Sequence, residues 1–254
     1  MAMAEWGVDP EFFGPRHAHR EGRIVRALER GGGVEGRHLE CAAGVGSLSL
    51  TLARRGRTVV AVDLSLRSLG HVAARVGEAG LERRVLAVVA DITRLPFAGG
   101  AFASATSAET LEHLPDDRAA VAELARVMAP GGRLVGTVPA GPGQWSDWDV
   151  WADHQRRYTS SGMAGVLAGA GLEPEVRVWG WPLLRLYDDL FLKRVNRRRL
   201  RSPGSVEDDP ALRRVSGLGR RRWLVKLVRA AFELDRVFDR VPWGVGLLFV
   251  ARKR

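Results

Sequence analysis

Apolar residues fall along this chain in two rhythms, one of period two or of short continuous runs, the other of three to four residues. The first rhythm predicts strands at about 37–42, Thr58–Val62, Val85–Ala90, Phe102–Ser107, Arg133–Val138, Glu175–Trp179 and Val245–Arg252. The second predicts helices at about His17–Arg30, 46–55, Ser65–Glu78, 116–128 and 161–170. Ile24, Val25 and Leu28 mark the buried face of the first helix, and Gly31-Gly32-Gly33 stops it. Thr58–Val62 is apolar on both faces, as a parallel strand covered on two sides must be. Strand and helix alternate, so the pattern predicts an α/β fold.

The regular alternation stops after Trp179. Residues 181–243 form a long connection with two amphipathic stretches. One covers about 183–200, with Leu184, Tyr187, Leu190, Phe191 and Val195. The other covers about 220–239, with Leu224, Leu227, Val228, Ala231 and Phe238. A loop, Ser202–Pro210, lies between them. Four parts follow: an arm and helix over 1–35, a core over 36–180, an insert over 181–243 and a last strand over 244–254.

Charge sharpens this division. The net charge is +10, yet Arg185–Arg254 holds 19 Lys/Arg against 8 Asp/Glu, while the preceding part holds 20 against 21. The whole basic excess belongs to the C-terminal quarter. A chain that is 46% hydrophobic has the makings of a globular core. No apolar run nears the roughly 18 residues that cross a bilayer, and no signal peptide is expected. One cysteine, Cys41, excludes an internal disulfide and fits a reducing, cytoplasmic setting. Its place inside the first strand makes it a small core residue ahead of a catalytic thiol.

The densest chemistry sits at residues 37–63. A strand runs into the turn Gly44-Val45-Gly46, then a helix, then a strand ending in Asp63. Glycine lets backbone approach a ligand closely. The next helix offers free N–H groups, and an acid at the second strand tip can accept from both hydroxyls of a ribose. The unit suits a nucleoside. In a dinucleotide fingerprint a third glycine would stand where Ser49 is. Glu40, four residues before Gly44, opposes a pyrophosphate and favours a cationic amino-acid group.

Glu40-Cys41-Ala42-Ala43-Gly44-Val45-Gly46 resembles the first motif of class I S-adenosylmethionine-dependent methyltransferases, acid-x-G-x-G-x-G, with Ala42 in place of its first glycine. Ala108-Glu109-Thr110-Leu111-Glu112-His113-Leu114 and Leu124–Leu134 resemble small-molecule members of the ubiquinone/menaquinone-biosynthesis (methyltransferase type 11) group. His154-Gln155-Arg156-Arg157-Tyr158-Thr159 resembles a segment found after strand five in relatives. Phe102 is followed by Ala103 where relatives carry an acid, and the Asn/Asp-Pro-Pro-aromatic motif of nucleobase N-methyltransferases is missing.

The resemblance implies a Rossmann-like three-layer sandwich on a seven-stranded mixed sheet, with antiparallel strand seven between strands five and six. It implies S-adenosyl-L-methionine, with S-adenosyl-L-homocysteine as product and no metal. The expected cofactor residues are Glu40, Ala42, Gly44 and Gly46 for the methionine part, Asp63 for the ribose, and Asp91 and Ile92 for the adenine. Leu64, Ser107 and Glu109 complete the set. Asp91 also reads as a turn residue. Strand six and the Trp-rich loop 141–158 would leave the sheet at the cofactor edge, so the loop and the insert are expected to roof the site.

His113 and His154 are the candidate general bases, because histidine titrates near neutral pH. His113 also reads as a brace for its loop. His17, His19 and Arg20 read first as a solvated helix start. The expected function is methyl transfer to oxygen or carbon of a small, fairly apolar acceptor. The alternatives are an RNA methyltransferase using the basic C-terminus and a catalytically silent cofactor-binding protein. Nucleic acid is the weaker partner. The basic insert reads as a solvated cap or dimer surface, as a lid on an acidic substrate, or as a peripheral contact with anionic membrane at its inner face.

Overall fold

A computed structural model describes residues 14–30, 36–201, 221–239 and 241–254, together with positions 210, 214, 217 and 218. The expected arm up to residue 13, the Gly31–Gly33 stop and the loop from Ser202 to Asp209 lie outside the described residues. Among the described residues no helix is long and apolar enough to cross a membrane.

The strands are β1 (Arg37–Cys41), β2 (Thr58–Asp63), β3 (Val85–Val89), β4 (Phe102–Ala108), β5 (Met128–Pro139), β6 (Leu172–Trp179) and β7 (Gly246–Lys253). They form one sheet in the order β3-β2-β1-β4-β5-β7-β6. Pairing is parallel from β3 through β5, and β7 is antiparallel to both neighbours. This is the expected seven-stranded mixed sheet.

The period-two rhythm decides which residues face which layer. Val60 and Val62 join the core under α4 (Asp117–Val127) and α6 (Ser160–Gly169), with the short helix α5 (Asp147–Trp151) between these two in sequence. Val59 and Ala61, from the same strand, join the core under α1 (Pro15–Glu29), α2 (Ser47–Ala53) and α3 (Leu66–Glu78). Three layers result, each sheet face sealed by helices. At the centre, a Cβ on Gly136 would stand 2.1 Å from the Ser107 carbonyl and 2.3 Å from the Phe249 ring.

Several boundaries differ from the sequence expectation, for tertiary reasons. β5 begins at Met128, so Pro130-Gly131-Gly132 lie inside the strand. They are absorbed by an irregularity between the pairs Phe102–Met128 and Ser104–Arg133. β6 begins at Leu172 because β7 pairs with it along its whole length. The first amphipathic stretch is not one regular helix. It divides into Leu183–Tyr187, a π-helical turn Asp188–Leu192 and Lys193–Arg201. The second divides into the helix Arg222–Phe232 and a 3-10 segment Glu233–Phe238.

The insert also divides in space. Its first half meets the roof loop and the start of α1, with Arg16 Nε 3.3 Å from Asp188. Its second half lies along α1, where Phe232 enters the core beside Leu184 of the first half. Asp235 fixes the two halves together, since its carboxylate accepts from Leu183 N and Leu184 N at 2.9 Å each. Only part of the insert therefore reaches the edge it was expected to roof.

Candidate active site

The turn after β1 holds three residues in the left-handed region: Ala42 (φ 54°), Gly44 (φ 53°) and Gly46 (φ 76°). Gly46 is required, because a Cβ there would stand 3.0 Å from Val72 Cγ2. Ala42 takes this conformation against a steric cost of about 1 kcal/mol. Local strain of this kind collects where backbone is shaped for a ligand.

Two acids frame the turn. Glu40 is buried, and Ser49 Oγ donates to it. Burial, offset only in part by that hydrogen bond, pushes the Glu40 carboxyl up to about 8, with Glu21 and Asp63 adding to the rise. Asp63 Oδ2 accepts from Gly44 N and Oδ1 from Ser65 N, both at 2.9 Å. One carboxylate thus ties the tip of β2 to the turn after β1 and to the start of α3.

The expected adenine residues behave differently from one another. Asp91 is exposed, and its Oδ1 accepts from Thr93 N at 2.8 Å and Thr93 Oγ1 at 2.7 Å. Those bonds hold its carboxyl below the usual range and give it the turn role as well. Ile92 is turned into the core, packed in the cluster that contains Val62 and Leu95. Leu64, beside Asp63, is 58% exposed.

Ser107, next to the last residue of β4, is buried, its hydroxyl without a hydrogen-bond partner among the described residues. The chain then passes Glu109 (φ 53°) into a 3-10 turn, Leu111–His113. The roof loop meets that turn. The His113 and His154 rings lie 4.7 Å apart, edge to face. Tyr158 OH donates to Asp117 Oδ2 at 2.6 Å and Arg156 donates to Pro115 O at 2.9 Å, stapling the loop to the start of α4. His154 Nδ1 is 2.8 Å from Asp149 Oδ1. Burial and the neighbouring His154 lower the His113 pKa, which keeps it neutral at physiological pH. Glu112 is fully buried, and neither carboxylate oxygen has a hydrogen-bond partner among the described residues. Burial, with Glu109 nearby, raises its pKa well above the carboxylate range.

The start of α1 is not a solvated face. His17 Nε2 lies 3.0 Å from Glu21 and 3.1 Å from Ser47 Oγ, at the Gly-rich turn. Arg20 Nη1 is 3.7 Å from Glu109. Burial opposes ionisation of Glu109, but Arg20 and Arg16 outweigh it and hold the carboxyl below its ordinary value. His19 is buried between Trp179 and Phe232, the ring centroids 6.0 and 5.8 Å away. The sequence signal for this was the alternation of Arg16, His19 and Arg23 with polar neighbours on one helical face, which a charge-based reading assigns to solvent. A separate groove of about 850 Å³, lined by Arg23, Arg26, Arg177 and Arg236, lies on the α1 face and includes none of the turn residues.

Residues 39–136 match the family described as "Methyltransferase domain". The chain is 42% identical over 97 residues to a demethylmenaquinone methyltransferase of Mycobacterium marinum, covering 38% of each chain. It is 39% identical over 97 residues to the methyltransferase GfsG of Streptomyces halstedii, covering 38% of this chain and 35% of that one. It therefore spans well under half the length of these curated relatives. Among solved structures, a putative sarcosine dimethylglycine methyltransferase from Galdieria sulphuraria superposes with a TM-score of 0.67 at 15% identity, covering 93% of this chain and 86% of that one. A geranyl diphosphate C-methyltransferase from Streptomyces coelicolor, solved with S-adenosyl-L-homocysteine, gives 0.63 at 18% identity, covering 94% and 77%. The fold is the class I methyltransferase fold.

Proposed function

We propose that this chain, which carries a methyltransferase domain over residues 39–136, transfers a methyl group from S-adenosyl-L-methionine to oxygen or carbon of a small, fairly apolar acceptor. The observation that carries this reading is the turn between two acids: Ala42, Gly44 and Gly46 left-handed, Glu40 buried behind them and Asp63 bonded across to Gly44 N. Glu40 and the turn backbone suit the cationic amino-acid end of the cofactor. Asp63 suits the ribose, and Leu64 with Asp91 and Ile92 the adenine. Ser107 and Glu109, at the end of β4, complete the cofactor set.

The cofactor supplies an electrophilic methyl group. The protein's tasks are to align the acceptor, exclude water and handle the acceptor's proton. His113 and His154, in contact at the junction of the 3-10 turn and the roof loop, are the candidate groups for that proton. The core 36–180 with 244–254 serves as the cofactor unit, and 181–243 as the acceptor and surface element.

The insert supports contact with an anionic membrane. Trp223, Leu227, Leu234, Val237 and Phe238 are exposed, with the exposed Arg221 and Lys226 in the same segment. Co-sedimentation with vesicles should rise with anionic lipid content, and a result independent of lipid charge removes this part of the reading.

The test of the whole is incubation with tritium-labelled S-adenosyl-L-methionine and cell extract. Label in the organic phase is expected, and lost in Asp63→Ala. Label in the nucleic-acid or protein fraction overturns the acceptor class.

A further inference from the structure

We propose that Glu112, His113 and His154 bind one divalent transition-type cation on the acceptor side of the site. The proposal rests on the methyltransferase reading for its purpose but not for its geometry. One ligand atom from each residue lies within 4.8 Å of the others. Two ligands about 2.1 Å from one tetrahedral ion stand about 3.4 Å apart, so a contraction of up to about 1.4 Å completes the site.

Three observations point at an ion rather than at three residues that merely touch. Glu112 is fully buried with both oxygens unpartnered among the described residues, which leaves a desolvated acid with nothing to bond. His154 has its Nδ1 fixed by Asp149 Oδ1 at 2.8 Å, which orients the ring and leaves Nε2 for a metal. His113 packs edge to face against His154 with the ring centroids 4.7 Å apart, so both imidazoles stand over the same buried acid. Asp149 is itself locked by Arg157 and by the Ser146 cap, so the supporting shell is rigid.

Two imidazoles and one carboxylate form a borderline donor set. It suits Zn²⁺, Co²⁺ or Fe²⁺ ahead of Mg²⁺ or Ca²⁺, and it leaves coordination positions open. A cation there would lower the pKa of an acceptor hydroxyl brought beside it. The two histidines would then manage the acceptor's proton through the ion instead of by taking it directly.

The test uses the full chain, stripped with chelator and titrated with ZnCl₂ in a calorimeter, with bound metal counted by mass spectrometry. One equivalent is expected. His154→Ala and Glu112→Gln should each weaken binding at least 10-fold, and Asp149→Asn about 10-fold through loss of the orienting bond. Co²⁺ in place of Zn²⁺ gives a visible absorption band that reads the site without any turnover, and the band should shift in Glu112→Gln. Because Glu112 is buried, circular dichroism of each variant accompanies the titration, and His154→Ala stands as the independent variant. Absence of a stoichiometric site, or unchanged affinity in the folded His154→Ala variant, overturns the proposal. Cofactor binding by the stripped protein is measured in parallel. A protein that binds Zn²⁺ but no S-adenosyl-L-methionine would sink the methyltransferase reading and leave the metal site standing.

Discussion

Arg157 grips Asp149 at two points, Nε to Oδ1 at 2.7 Å and Nη2 to Oδ2 at 2.9 Å. The same carboxylate accepts from Ser146 N at 2.8 Å and meets His154 Nδ1 at 2.8 Å. The loop after β5 is therefore built around one buried acid. Burial would raise the Asp149 carboxyl, but the His154 and Arg157 hydrogen bonds overcome it and hold it far below its ordinary range. Asp149 is fully buried, so an uncompensated charge there is costly.

Arg157→Gln should lower the unfolding free energy by about 3 kcal/mol. Urea titration reads this as a lower midpoint with unchanged slope. Cofactor affinity should stay within about twofold, because Glu40 and Asp63 belong to the other half of the site. Loss of stability below about 0.5 kcal/mol would mean that the pair is solvent-screened and that the loop is held some other way.

Glu40 makes a second prediction. With its carboxyl pushed up to about 8, most of the ligand-free protein carries a proton there at pH 7. A cationic ammonium group placed beside it should expel that proton. Calorimetric binding of S-adenosyl-L-methionine at pH 7 should release close to about one proton, seen as a dependence of the heat on buffer ionisation enthalpy. The release should vanish at pH 9, where Glu40 is already ionised, and in Glu40→Gln. A wild-type heat independent of buffer would place the ammonium away from Glu40.

Two buried histidines predict the acid limb of stability. Burial, with Arg23 beside it, lowers His19 to about 4. Burial, with Arg57 adding, lowers His38 to about 3. His38 sits between Ser104 Oγ at 2.8 Å and Thr106 Oγ1 at 3.0 Å. Both folded values lie below the unfolded value near 6.5, so the fold favours the neutral ring. Their contribution is complete above pH 6.5 and is lost as pH falls through 6.5 towards about 4 for His19 and about 3 for His38. Each histidine adds up to about 1.4 kcal/mol per pH unit in that window. His19→Phe, which keeps a ring between Trp179 and Phe232, should flatten the slope between pH 6 and 4 by about one proton. An unchanged slope would mean that His19 is protonated in the fold.

Much of the molecule was decided by local pattern. The run Thr58–Val62 carries apolar side chains on successive positions, so both its faces had to be covered, and they are. Gly44, Gly46 and Asp63 were legible because left-handed backbone and an acid at a strand tip are requirements of one short stretch of chain.

The rest depended on which distant residues meet. Ile92 and Leu64 are both apolar and both follow a strand-end acid, yet only packing decides that Ile92 enters the core and Leu64 faces out. His19 looks solvated until Trp179 and Phe232 close over it from later in the chain. Glu112 and His113 read as one loop until the roof loop folds back and sets His154 against them. Sequence periodicity states that a face must be buried, because that follows from the residue types alone. It does not state what buries it, because that choice is made by chain segments whose separation along the sequence carries no local signal.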